Sequence, residues 1–101
     1  MEIKLIAFDL DGTLLREDKT VSPANQTALR AAAAQGIFLV PATGRIYPII
    51  PEQVKQMPEI RYFICGNGAS VYDKTEQREL YSAQIPLERT LELFSYIDRQ
   101  P

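Results

Sequence analysis

The sequence predicts an α/β fold in which helices cover a parallel sheet, and two observations carry that prediction. Three short apolar segments, residues 3–8, 37–40 and 61–65, are separated by segments of helix-forming composition. A polar motif follows each apolar segment, in the order DLDGT, TGR and GNGA. Because ligands of parallel α/β sheets bind beyond the carboxyl ends of the strands, we expect the three motifs to meet at one edge of the sheet.

The composition excludes several functional classes. The chain has 101 residues, of which 46% are hydrophobic and 24% charged, a balance typical of one small globular domain. A formal net charge of −2 without a basic run predicts no nucleic-acid partner. No apolar stretch reaches the roughly 18 residues of a membrane span, and this indicates no membrane association.

Histidine and cysteine usage limits the possible chemistry further. The sequence has no histidine, which excludes Ser-His and Cys-His catalysis and imidazole ligation of a metal. Any catalysis must therefore use carboxylates, hydroxyls, backbone amides or a metal ion. The single cysteine, Cys65, excludes an internal disulfide and is expected to be a small buried side chain. With no targeting segment in the sequence, a lone cysteine favours a cytoplasmic location.

The first half of the chain begins with a strand and a helix. Residues 3–8 are apolar on both faces, as in a central parallel strand. Ser22 followed by Pro23 predicts the start of a helix, which the alanine-rich sequence continues to Gln35. Gly36 then supplies the stop.

The middle of the chain repeats this strand and helix alternation. Residues 37–40 predict a second buried strand, and a less regular helix follows it to about Met57. Pro51 is expected to kink that helix or to delay its start. Residues 61–65 predict a third strand, so the order is β-α-β-α-β with right-handed crossovers.

The last third of the chain predicts a hairpin and a helix. Residues 71–73 and 79–81 form the two arms around the polar turn 74–77. From residue 87 onward, an amphipathic helix presents a stripe of apolar side chains, which we interpret as packing: Leu87, Leu91 and Phe94.

The acidic pair at the end of the first strand is the strongest chemical signal. Asp9 and Asp11 are two residues apart in an extended segment, so their side chains can face one pocket. Two close carboxylates without a basic neighbour repel each other, and a divalent cation relieves that repulsion. One carboxylate can attack phosphorus while the other acts as general acid and base. A solvated turn explains Asp11, which precedes Gly12, but not Asp9.

The other two motifs offer groups that can bind phosphate, and each has a structural alternative. Thr43 and Gly44 can present a hydroxyl and a backbone amide to an anion, although Thr43 can equally cap a helix. Arg45 can clamp a phosphate or a sugar in a bidentate manner, or it can remain in solvent. Asn67, flanked by two glycines, can shape the floor of the pocket or simply form a tight turn.

DLDGT, TGR and GNGA, in this order and after these strands, resemble the motifs of the haloacid dehalogenase-like hydrolases, in particular the Cof-like sugar phosphatases. The resemblance implies a three-layer Rossmann-like core and a substrate of the sugar phosphate class. It also implies that Asp9 is the nucleophile and a Mg²⁺ ligand. Asp11 would be the acid/base residue and would bind the metal through its carbonyl. Leu10 would offer its amide to the phosphate, and Thr43 its hydroxyl.

The resemblance divides the chain and leaves part of the family pattern unmatched. Residues 1–84 correspond to a partial core domain, and residues 85–101 to the truncated start of a cap domain. The lysine and the late acidic motif of the family are not found in residues 70–101. We therefore expect weak Mg²⁺ binding and little or no activity from these 101 residues. We also expect a homo-oligomer that covers the apolar sheet edge or the last helix.

Two other functional classes remain as alternatives. The chain can be a non-catalytic module that binds phosphate or Mg²⁺ and acts through a partner chain. It can also be a phospho-acceptor domain of the receiver type, which is likewise a parallel α/β fold. The receiver type fits poorly, because receivers lack DxDGT and no lysine follows a later strand here.

Overall fold

The structure, a computed structural model, describes residues 2–83 and 87–99, and within them strands and helices alternate as predicted. The elements are β1 Leu5–Phe8, α1 Pro23–Ala34, β2 Phe38–Pro41, α2 Glu52–Lys55, β3 Tyr62–Cys65, β4 Ser70–Asp73, β5 Arg78–Ser82 and α3 Leu87–Asp98. Two 3₁₀ turns, Tyr47–Ile49 and Gly66–Gly68, lie between them. The fold is mixed α/β, as the sequence predicts.

Strands β1, β2 and β3 run parallel, so their carboxyl ends share one edge. β1 pairs with β2 in a register that sets Leu5 opposite Phe38. β2 and β3 are joined by single parallel bridges rather than by a continuous ladder; the bridged pairs are Leu39 with Ile60 and Ala42 with Ile64. β3, β4 and β5 form an antiparallel sheet, which confirms the predicted hairpin.

Helix α1 begins and ends where the sequence predicts. The Ser22 hydroxyl accepts a hydrogen bond from the amide of Asn25 at 3.2 Å, and Pro23 is the first helical residue. Gly36 adopts a φ of +82° just after the helix, a conformation that costs glycine little and other residues more.

The helix predicted to extend to about Met57 is much shorter in the structure. After the 3₁₀ turn, α2 is a single turn that begins after Pro51, the residue predicted to delay its start. Pro51 has no N–H to donate, so the chain restarts its helical hydrogen bonds only beyond it. Val54 anchors this turn in the core, where its side chain is completely buried.

Strand β1 departs from the prediction that both of its faces are buried. Leu5 is 54% exposed and Ile6 is 37% exposed, and Phe38 of the neighbouring strand is 56% exposed. Among the described residues β1 pairs only with β2, so its second edge and one face have no covering element. The core lies instead around Leu10, which follows β1, and Phe63, which lies in β3.

The hairpin is held by an ion pair at its turn. Arg61 donates two hydrogen bonds to the buried carboxylate of Asp73, from Nε at 3.0 Å and from Nη2 at 2.9 Å. Asp73 also accepts the amides of Thr75 and Glu76. The Arg61 guanidinium is the main reason why the pKa of Asp73 falls from 3.8 to about 2.

The apolar stripe predicted on helix α3 stays a prediction. Leu91 is 59% exposed, and the side chains of Leu87 and Phe94 lie outside the described residues. In the described part of the chain, no helix is both long enough and apolar enough to cross a membrane.

Candidate active site

A cleft of about 440 Å³ opens at the carboxyl ends of β1, β2 and β3. It brings together the three motifs that the sequence places after these strands. Its lining residues are Asp9, Ala42, Thr43, Gly44, Ile64, Asn67 and Gly68. The predicted convergence of the acidic pair with the other two motifs therefore holds for Asp9, Thr43, Gly44 and Asn67.

Asp9 lines this cleft with one of its carboxylate oxygens hydrogen-bonded and the other free. Its Oδ1 atom accepts a hydrogen bond from the backbone amide of Leu10 at 2.9 Å. No second hydrogen bond or ion pair of the Asp9 side chain is found among residues 2–83 and 87–99, so Oδ2 remains free there. The Leu10 amide, expected to face a phosphate, is occupied by Asp9 in this structure. The Leu10 side chain is fully buried and anchors the motif to the core.

Asp11 does not share the environment of Asp9. Its carboxylate accepts hydrogen bonds from Nε and Nη2 of Arg45, each at 2.8 Å, and from Nζ of Lys19 at 3.0 Å. The Arg45 hydrogen bonds, followed by that of Lys19, hold the pKa of Asp11 far below its usual range. The expectation that the acidic pair has no basic neighbour is thus wrong for Asp11. Both cations come from segments that fold against the motif.

Thr43 is buried at the wall of the cleft and holds two motifs together. Its Oγ1 atom accepts the Arg45 amide at 3.0 Å, and its backbone amide donates to the Ile64 carbonyl at 2.8 Å. Its backbone carbonyl accepts the amide of Asn67 at 3.0 Å. Because Oγ1 acts as an acceptor in the local turn, its hydroxyl proton can still be donated to a ligand. The alternative in which Thr43 caps a helix is wrong, because the next helical turn begins at Tyr47 with Ile46 as its N-cap, and the Thr43 hydroxyl closes a local turn instead.

Gly44 and Asn67 approach each other across the floor of the cleft. A Cβ atom on Gly44 would lie 3.0 Å from Oδ1 of Asn67, so only glycine fits without a shift. Asn67 has a φ of +56° between Gly66 at +58° and Gly68 at +94°, a left-handed turn that suits asparagine and glycine. This turn places Asn67 at the cleft, so Asn67 can both form the tight turn and shape the floor of the pocket.

The oxygen atoms of the DLDGT motif fit part of a Mg²⁺ site. The free carboxylate oxygen of Asp9 is a suitable ligand, while the Asp11 side chain is occupied by two cations and leaves only its backbone carbonyl. Mg²⁺ commonly uses one or two protein oxygens, completed by water and substrate phosphate. No group of three or more acidic, cysteine or histidine side chains with metal-binding geometry occurs in the described part of the chain.

Lys19 is a site residue that the sequence did not reveal. It lies in a loop closed by hydrogen bonds from the Lys19 amide to the Arg16 carbonyl and from the Arg16 amide to the Thr20 carbonyl. In the folded loop, Lys19 adopts a φ of +64° and its side chain reaches Asp11. No local motif signals that conformation. Cys65, by contrast, is buried as predicted, and burial raises the pKa of its thiol.

Comparisons with known proteins relate this geometry to a family. The sequence profile of a family described as haloacid dehalogenase-like hydrolase matches residues 6–101. The chain is 36% identical over 91 residues to the 5-amino-6-(5-phospho-D-ribitylamino)uracil phosphatase YcsE of Bacillus subtilis, covering 86% of this chain and 36% of that protein. It is 33% identical to the pyridoxal phosphate phosphatase YbhA of Escherichia coli, covering 97% of this chain and 36% of that protein.

Solved structures show the same relationship. A haloacid dehalogenase-like hydrolase from B. subtilis superposes with a TM-score of 0.78 at 36% identity, over 95% of this chain and 33% of the other. The HAD subclass IIB sugar phosphatase BT4131 superposes with a TM-score of 0.78 at 29% identity, over 95% of this chain and 37% of the other. The chain thus spans about a third of the length of these relatives.

Proposed function

The chain belongs to the haloacid dehalogenase-like hydrolases, and from that premise we propose that it forms the nucleophile-bearing part of a Mg²⁺-dependent phosphatase. The single observation that carries the proposal is the cleft that Asp9, with one free carboxylate oxygen, lines together with Thr43, Gly44 and Asn67. The relatives include phosphatases named for phosphorylated small molecules, which supports a phosphate monoester as substrate.

The proposed reaction has two steps. In the first, Oδ2 of Asp9 attacks phosphorus, the bond between phosphorus and the ester oxygen breaks, and Asp11 gives a proton to the departing alcohol. In the second, water attacks the aspartyl-phosphate, Asp11 accepts a proton from that water, and the bond to Asp9 breaks. The products are the alcohol and inorganic phosphate, with Asp9 restored.

The phosphate is held by groups from the other two motifs. The Thr43 hydroxyl and the Gly44 backbone amide donate hydrogen bonds to its oxygens, and the Asn67 side-chain amide donates from the floor of the cleft. The Leu10 amide can join them once it exchanges Oδ1 of Asp9 for a phosphate oxygen. We propose that Asp9 and the Asp11 carbonyl hold Mg²⁺, which supplies positive charge to offset that of the phosphate.

We propose that these 101 residues alone are at most weakly active. The first step needs a protonated Asp11, but the cations of Arg45 and Lys19 favour its ionised form. The ionised form suits only the second step, in which Asp11 accepts a proton. In addition, no lysine or late acidic motif of the family pattern is found in residues 70–101 to offset the phosphate charge.

Hydrolysis of p-nitrophenyl phosphate tests the proposed function. The chain is assayed at high protein concentration with and without Mg²⁺, beside an Asp9→Asn variant. We expect slow, Mg²⁺-dependent release of p-nitrophenol that the variant lacks. An equal rate in the variant would refute the assigned nucleophile. A turnover near the ordinary enzyme range of about 10 per second would refute the proposed weakness.

A non-catalytic module is the second candidate, and the pairing of the Asp11 carboxylate with Arg45 and Lys19 favours it. Such a module would bind phosphate or Mg²⁺ in the same cleft and act through a partner chain. Beryllofluoride, which binds a carboxylate as a phosphoryl group does, separates the two candidates. Its binding at Asp9 in a protein that shows no turnover would favour the module.

The finer properties of the chain are proposals as well. The sugar phosphatase among the solved relatives supports a substrate of the sugar phosphate class. A lone buried cysteine supports a cytoplasmic location. The division into a partial core, residues 1–84, and the start of a cap, residues 85–101, follows the family pattern; residues 1, 84–86 and 100–101 lie outside the described part.

We propose a homo-oligomer formed through the exposed edge of β1. An antiparallel pairing of two β1 strands about Leu5 would set Lys4 opposite Ile6 and Ile3 opposite Ala7, with no like charges facing each other. Leu5 and Ile3 are both more than half exposed, so this pairing would remove apolar surface from water. An unpaired apolar strand edge is a common route to such association.

A further inference from the structure

The guanidinium group of Arg45 is committed to groups of the protein itself. Nε and Nη2 donate to the two oxygens of Asp11, each at 2.8 Å, and Nη1 donates to the carbonyl of Ile49 at 2.9 Å. Arginine carries five N–H donors on three nitrogens, and all three nitrogens of Arg45 thus donate a hydrogen bond. The side chain is only 25% exposed.

The Arg45 backbone is fixed as firmly as its side chain. Its amide donates to Oγ1 of Thr43 at 3.0 Å, and its carbonyl accepts the amide of Gly66 at 3.0 Å. Arg45 therefore contacts all three motifs: Asp11 of the first, Thr43 of the second and Gly66 of the third. A residue held at both its backbone and its guanidinium has little freedom to turn toward a ligand.

The edge of the guanidinium that chelates anions is already occupied. Nε and Nη2 form the parallel pair of donors that binds a carboxylate or a phosphate in a bidentate manner, and here that pair holds Asp11. A phosphate on the same edge would displace Asp11 from it. The Asp11 carboxylate is 40% exposed, so without this pair it would be free to change rotamer.

Lys19 cannot replace Arg45 in this role. It offers one donor atom to a single oxygen of Asp11, at 3.0 Å, from a side chain that is 53% exposed. Exposed single-contact ion pairs of this type fix little geometry, whereas a bidentate arginine defines the plane of the carboxylate.

We infer that Arg45 is a positioning residue, which fixes the orientation of the Asp11 carboxylate beside the cleft and does not bind the substrate phosphate. This replaces the expectation that Arg45 clamps a phosphate or a sugar. Its catalytic consequence rests on the proposed function, because Asp11 must face the departing oxygen to exchange a proton with it. The orientation of the Asp11 carboxylate by Arg45 can be tested whether or not the chain is a phosphatase.

The orientation of Asp11 can be measured directly by NMR. The Hα–Hβ coupling constants of Asp11 report its χ1 rotamer in the wild-type chain and in the Arg45→Lys and Arg45→Ala variants, with Arg30→Ala as a matched control on the exposed face of α1. We expect one rotamer in the wild-type chain and in the control, and averaged couplings in both Arg45 variants. Unchanged Asp11 couplings in Arg45→Lys and Arg45→Ala would overturn the inference.

Binding of orthophosphate in the presence of Mg²⁺ gives the second readout. We expect the affinity of Arg45→Lys to stay within about 2-fold of the wild-type value, and Thr43→Val to weaken it about 10-fold, the effect of one hydrogen bond to a charged group. A loss in Arg45→Lys as large as that in Thr43→Val would make Arg45 a phosphate ligand and overturn the inference.

The two readouts separate this inference from the proposed function. If the wild-type chain binds no orthophosphate, the proposed function is refuted, while the rotamer measurement still decides the role of Arg45. If the chain turns over p-nitrophenyl phosphate, p-nitrophenolate leaves without a proton from Asp11, so the rate depends on the ionised and oriented Asp11 of the second step. Added guanidinium ion should then partly restore the rate of Arg45→Ala by raising kcat at an unchanged KM. Restoration through KM alone would again make Arg45 a substrate ligand.

Discussion

Asp9 and Thr43 lie on the ends of neighbouring parallel strands and line the same cleft. The pairing of β1 with β2 sets Phe8 opposite Pro41, so the next residues of both strands emerge at one edge. An acidic residue and a threonine that are distant in the sequence thereby line a shared space. This relationship is the structural basis of the phosphoryl-transfer chemistry proposed for the chain.

Replacing Thr43 tests whether its hydroxyl binds phosphate. Thr43→Val removes the hydroxyl at nearly constant volume, and we expect orthophosphate affinity, measured by titration calorimetry with Mg²⁺, to fall about 10-fold. Thr43→Ser keeps the hydroxyl and should retain most of the affinity. Equal binding by Thr43→Val and the wild-type chain would show that Thr43 serves only the local turn.

Gly44→Ala tests the close approach between Gly44 and Asn67. The added Cβ would lie 3.0 Å from Oδ1 of Asn67, so the Asn67 side chain must shift by a few tenths of an ångström from its position at the cleft floor. We expect orthophosphate affinity to fall about 2- to 10-fold, the range of one neutral hydrogen bond. The measurement is the same calorimetric titration.

The Asn67→Gly background supplies the control for this experiment. Glycine accepts the positive φ of this position, so the turn is kept while the side chain is lost. Gly44→Ala should have no additional effect in that background, because the atom it displaces is absent. An undiminished effect there would mean that the alanine acts on the backbone and not through Asn67.

The stability of the chain should depend on the ionisation of Asp73. The pKa of Asp73 is about 2 in the folded chain against an ordinary value of 3.8, mainly because of Arg61. Since the folded-state pKa is lowered, its contribution to stability is present above about pH 4 and is lost as the pH falls toward 2. Urea unfolding at pH 5 and at pH 2.5 should show this loss in the wild-type chain.

Asp73→Asn should make this part of the pH dependence disappear. The amide cannot ionise, so the difference in unfolding free energy between the two pH values should be smaller than in the wild-type chain. Glu92→Gln, a change in an exposed ion pair of α3, is the matched control and should leave that difference unaltered. If Asp73→Asn kept the wild-type difference in unfolding free energy between the two pH values, the pH dependence would not come from Asp73.

The exposed edge of β1 predicts self-association. Leu5→Lys places a charge on this edge at a side chain that is 54% exposed, so folding should be little affected. We expect light scattering to show a mass above 11.4 kDa for the wild-type chain at high concentration and a monomer for the variant. Ile46→Lys, at a residue of similar exposure away from β1, should associate like the wild-type chain. A monomeric wild-type chain would refute the proposal.

The sequence by itself determined the order of the strands and helices and the identity of the motifs. Ser22, Pro23 and Gly36 fix the bounds of α1 through local backbone chemistry, and the apolar segments fix the strands. The convergence of Asp9, Thr43 and Asn67 also followed, because the ends of parallel strands share an edge. Each of these features depends on residues close in the sequence or on a general rule of sheet topology.

Only the tertiary structure decided how the two aspartates differ. Asp9 keeps a free oxygen at the cleft, whereas Asp11 is paired with Arg45 and Lys19, which reach it from a later strand end and from a loop with a positive φ. The exposure of β1 was decided in the same way, by the absence of a second neighbour for it among the described residues. Charge pairing and burial depend on which groups meet in space, and no local pattern in the sequence carries that information.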